Sequence, residues 1–95
     1  SVSDDKVENG QSLGTTMSNG DELKITLNGA TISTTVAPII KKGENPMTPS
    51  TEYSWDSGTS TLSVVSNTAF TADLYTIVVT DNNNKTYNFY FTIEE

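Results

Sequence analysis

Two carboxylates stand near aromatic residues in this chain, Asp56 directly after Trp55 and Asp73 three positions after Phe70. A pair of acids is the smallest set of side chains able to run general acid/base hydrolysis, provided a pocket keeps one of them protonated. Both acids, however, fall at strand ends where turn residues belong, as in Asp56-Ser57-Gly58, so solvated turn positions are expected. The chain has no cysteine and no histidine. That removes disulfides, thiolate nucleophiles and the commonest general base and transition-metal ligand together. No catalytic residue is assigned, and an enzyme is not expected.

Two other constellations could bind. Asp81-x-Asn83 offers two oxygen ligands in one loop, with Asp21-Glu22 or Asp4-Asp5 as further donors. Calcium needs six to eight oxygens, and the loop glycine and distal Glu of a dedicated site are missing, so a plain Asn-rich hairpin tip is the competing reading and no cofactor is expected. Tyr53 and Trp55, at i and i+2 of one strand, share a sheet face. They are either a platform on which sugar rings stack or an inward pair in which Trp55 fills the core.

The elements that must position these residues are strands. From Asp73 to Ile93, Tyr75, Ile77 and Val79 alternate with Thr76, Val78 and Thr80, and beyond Asp81 to Asn84 the residues Tyr87, Phe89, Phe91 and Ile93 alternate with Asn88, Tyr90 and Thr92. Strict period-2 alternation of this kind predicts a β-hairpin with one buried face, which a second layer must cover. Upstream, strands are expected at Ser12 to Ser18, Glu22 to Asn28, Val36 to Lys41, Thr51 to Asp56 and Ser60 to Ser66, separated by Asn19-Gly20, Asn28-Gly29, the loop from Lys42 to Ser50, and Ser57-Gly58. Pro38 lacks an amide proton, which places its strand at an edge or a bulge, with Ile39 inward and Ile40 outward. Asn67 to Ala72 crosses between layers, anchored by Phe70.

Residues 1–11 are read as a polar tail or edge segment and 12–95 as one all-β domain, an antiparallel β-sandwich of about seven strands. If Ile39, Ile77 and Phe89 point in, then Ile40, Val78 and Tyr90 point out from neighbouring strands, and three adjacent apolar side chains in solvent mark a contact surface. A cross-strand pair of Val78 and Tyr90 that merely steadies the hairpin is the alternative. The net charge of −7, with only five basic residues, removes the cationic surface that nucleic acid or an anionic membrane requires. No apolar run is long enough to span a bilayer, and the first residues are neither basic nor apolar as a signal peptide would be.

The segment Pro38-Ile39-Ile40-Lys41-Lys42-Gly43 resembles the third-strand motif of immunoglobulin-like domains of the intermediate set, with Ile39 at the Trp position, Leu27 at the first Cys and Ile77 at the second. Phe70 to Tyr75 is similar to that family's approach to its sixth strand. The Asp-x-Gly spacing is altered there, so only Tyr75 carries over, as a tyrosine corner bonding back to the preceding loop. A looser likeness to X2-type modules of carbohydrate-degrading enzymes runs through Ile25 to Gly29, Thr48 to Tyr53 and the closing hairpin. Without Cys or Trp at the hallmark positions, the resemblance implies a disulfide-free module of a bacterial surface or phage virion protein, extracellular, with neighbouring domains in a longer chain. It implies a spacer, decoration or adhesion unit contacting a protein or a cell-surface glycan; a carbohydrate-binding accessory module is the alternative.

Overall fold

The computed structural model describes residues 9–14 and 17–94. The acidic stretch before Asn9, including the Asp4-Asp5 candidate, lies outside the described residues, as do Thr15 and Thr16 of the first expected strand.

The closing hairpin forms β7 (Asp73–Thr80) and β8 (Thr86–Ile93), paired antiparallel from Asp73↔Ile93 to Thr80↔Thr86. Tyr75, Ile77, Val79, Phe91 and Ile93 are buried, as alternation dictates, with Tyr87 and Phe89 half-buried at the end of the sheet. Around this hairpin lie β1 (Gln11–Ser12), β3 (Ile39–Lys42) and β4 (Asn45–Pro46), giving a five-stranded sheet in the order β1-β8-β7-β3-β4. The facing sheet holds β2 (Glu22–Lys24), β5 (Tyr53–Asp56) and β6 (Thr61–Val64) in the order β2-β6-β5. Leu23, Ile25, Leu27, Tyr53, Leu62 and Val64 from that side meet the hairpin's inner face in one apolar core. A 3-10 turn at Asn67–Ala69 carries the chain across, and Phe70 is buried behind it.

Among the described residues every pairing of two strands is antiparallel except β1 with β8, which run parallel, Gln11 opposite Phe91 and Ser12 opposite Thr92. Of the first expected strand, Ser12 to Ser18, only Ser12 lies in a strand among the described residues, as the end of β1, but Leu13 and Met17 are buried as read. The loop after Lys42 contains an unexpected strand: β4 folds back on Lys41 and Lys42 across a tight turn at Gly43, whose φ of 59° lies in the left-handed region.

The phase of β3 is opposite to the one expected. Ile40 sits opposite Ile77 and is 1% exposed, whereas Ile39 sits opposite Val78 and is 48% exposed. Register decides this, because directly paired residues share a face and Ile77 points into the core. Ile39 therefore does not occupy the core position assigned to it, and Ile40 leaves the candidate surface patch.

Candidate functional site

The outer face of the five-stranded sheet is built by the side chains that alternate away from the core. On β7 these are Leu74, Thr76 and Val78; on β8, Asn88, Tyr90 and Thr92; on β3, Ile39 and Lys41. Leu74 is 49% exposed, Tyr90 is exposed, and Val78 is half-buried beside Ile39. Val78 and Tyr90 are not a direct cross-strand pair, since Val78 faces Asn88 and Tyr90 faces Thr76. The patch is thus Ile39, Val78, Tyr90 and Leu74 rather than Ile40, Val78 and Tyr90. Leu74 was legible as the outward neighbour of Tyr75 on an alternating strand.

Charge separates the two outer faces. None of the eight outward residues just named carries a carboxylate, although the chain has twelve acids and a net charge of −7. On the outer side of the smaller sheet, by contrast, Glu22 and Asp56 stand with Lys24. An apolar and Thr/Asn-rich face with one lysine is what a contact surface needs when the remaining surface is acidic.

Tyr53 and Trp55 both face inward from β5, opposite Val64 and Leu62. Tyr53 is only 2% exposed, and its hydroxyl accepts from the Ile40 N–H at 3.4 Å, so its ring offers no face to a sugar. Trp55 packs partly against the core, and its other side lines a cleft of about 530 Å³ between the edges of the two sheets.

Asp81 is a structural carboxylate, 3% exposed at the mouth of the hairpin turn. Its Oδ1 accepts from the N–H groups of Asn83 (2.8 Å) and Lys85 (2.9 Å), and its Oδ2 accepts from the Tyr87 hydroxyl (2.9 Å). Burial by itself would raise its pKa, but these donors and the Lys85 charge outweigh it and hold the carboxyl below the usual carboxylate range. The same bond, with burial and the negative charge, raises the Tyr87 hydroxyl. Asn84 takes a φ of 64°, which Asn tolerates, and the Asn82 N–H donates to the Thr31 carbonyl at 3.0 Å. The Asn run is a clamped turn, and Asp81 spends both oxygens inside it. Among the described residues no group of three acids comes together as a metal cluster.

The two acids near aromatic residues sit at strand ends, Asp56 last in β5 and Asp73 first in β7. Asp56 Oδ1 accepts from Gly58 and Thr59, and Asp73 Oδ1 from its neighbour Leu74. They lie on opposite sheets and form no dyad. Tyr75 anchors the opposite corner: its hydroxyl donates to the Thr71 carbonyl, and its ring stacks between Phe70 (5.6 Å between centroids) and Phe91 (4.9 Å). Burial, reinforced by Asp73 and opposed by the bond to Thr71, pushes its pKa up to about 12. Leu27 and Ile77 are both buried.

Sheets of order β2-β6-β5 and β8-β7-β3, with a tyrosine at the start of β7 bonded to the corner before it, define an all-β sandwich compatible with the immunoglobulin-like arrangement. Comparison with protein-family models, curated proteins and solved structures finds no match to this chain.

Proposed function

We propose that the protein is a non-catalytic immunoglobulin-like module of a bacterial cell-surface or phage virion protein, a spacer, decoration or adhesion unit that meets its partner through the outer face of the five-stranded sheet. The observation that carries this reading is the carboxylate-free face bearing Ile39, Leu74, Val78 and Tyr90 on an otherwise acidic molecule. Apolar side chains standing on the pleat of a rigid sheet are pre-ordered for contact, and exclusion of acids lowers the desolvation cost of covering them. The disulfide-free core supports a module of bacterial or phage type. The carbohydrate-accessory alternative is weaker, because Tyr53 is enclosed and only Trp55 reaches the surface.

Flow cytometry with fluorescently labelled protein on bacterial and epithelial cells tests the reading. Binding is expected with wild type, and is expected to fall at least about tenfold in Leu74→Asp and Tyr90→Asp, while Ser63→Asp on the opposite sheet leaves it intact. Binding that ignores both face variants overturns it.

A further inference from the structure

The cleft beside Trp55 lies at the side of the sandwich, away from the outer face except that Ile39 borders both. Its apolar walls come from Pro38, Met47 and Pro49 on one side and Trp55 on the other. None of the residues lining it is charged, on a molecule of net charge −7. At about 530 Å³ it falls within the range of sites that hold a ligand.

Backbone geometry adds an independent feature. β5 is the edge of its sheet, paired with β6 alone. The Glu52 carbonyl accepts from Val65 on the β6 side, whereas the Tyr53 carbonyl accepts from the Ser50 N–H on the other side, where Pro49 bridges to Tyr53. Main-chain groups of an antiparallel strand alternate in direction, so those of Trp55 point the same way as those of Tyr53, away from β6. Beyond Pro49 no described strand lies there. The unpaired N–H and C=O of Trp55 therefore sit at the rim of the uncharged cleft. Ser50, at the same rim, holds a φ of 73°, a conformation that a non-glycine residue adopts only under constraint.

We propose that this cleft binds an extended, uncharged polypeptide segment, which adds to the edge of β5 by pairing with the Trp55 main chain and lays an apolar side chain between the Trp55 ring and Met47. Edge pairing supplies direction and register, and the apolar pocket selects the side chain. The absence of charge in the lining selects a neutral segment, because an acidic or basic side chain would be desolvated there without a partner. A sugar fits less well, since the lining holds no Asn, Asp, Gln, Glu or Arg to grip its hydroxyls.

Trp55 is the only tryptophan in the chain, so its fluorescence reports on this cleft alone. The test titrates the protein with a capped peptide of alternating Val and Thr, the same peptide with its central Val replaced by Asp, the same peptide N-methylated at that Val, and cellohexaose. Expected are a saturable blue shift with the neutral peptide, at least about tenfold weaker binding of the Asp and N-methylated peptides, and about tenfold weaker binding of the neutral peptide to Ile39→Asp, whose exposed position leaves folding intact. A response to cellohexaose alone, no saturable shift with the neutral peptide, or equal binding of the N-methylated peptide overturns the proposal.

Discussion

Tyr75 joins two jobs in one side chain: its ring lies between Phe70 and Phe91, and its hydroxyl ties the crossing loop to β7. Tyr75→Phe keeps the stack and removes the bond, so urea denaturation should show a loss of about 1 kcal/mol. Its pKa is raised from 10.0 to about 12, so the folded state favours the neutral phenol. That stabilisation is complete below pH about 10 and is lost as pH rises toward 12. Absorbance titration should find two of the four tyrosines, Tyr75 and Tyr87, ionising late, Tyr75 together with unfolding. Asp81 behaves in the opposite sense. Its pKa is depressed in the folded protein, so its contribution is present above the ordinary carboxylate range and fades as the pH falls through the folded value. Asp81→Asn should lower the thermal midpoint at pH 7 and narrow the gap from wild type in acid. Its importance was hidden in the sequence, where an Asp at a hairpin mouth looks like any solvated turn residue. Only the fold brings Tyr87 and two backbone donors onto it.

At the scale of elements, β7 and β8 were legible because Tyr75, Ile77 and Val79, and Tyr87, Phe89, Phe91 and Ile93, recur at every second position, and the resulting face has only one way to be buried. β3 was not. Ile39-Ile40-Lys41-Lys42 pairs two apolar with two charged residues, a pattern with no period of two, so its phase comes entirely from the ladder with β7. The two positions give a direct check by thermal denaturation. Ile40→Asp buries a charge opposite Ile77 and should cost about 4 kcal/mol or more, whereas Ile39→Asp should stay within about 0.5 kcal/mol of wild type. β4 and the burial of Met47 were equally hidden, because two paired residues inside a turn-rich loop carry no periodic signal. The cleft beside Trp55 depends on that loop, and so could not be read before the fold was in hand.

For the whole molecule, the sandwich and its single core followed from patterning alone, while the uneven distribution of charge emerged only with the register. Among the described residues the acids lie in loops or at the ends of strands, and seven net negative charges on the chain repel one another. Raising NaCl from about 10 mM to about 0.5 M shortens the screening length several-fold and should raise the thermal midpoint.

The parallel pairing of β1 with β8 has a mechanical consequence. The Gly10 N–H donates to the Tyr90 carbonyl, the Leu13 N–H to that of Thr92 and the Glu94 N–H to that of Gly14, so the chain enters β1 beside Tyr90 and leaves β8 beside Gly14, the two strands running the same way. Tension applied across Gly10 and Glu94 pulls the two strands lengthwise past each other. These bonds then bear load side by side and must rupture together, whereas an antiparallel pair pulled at one end would unzip bond by bond.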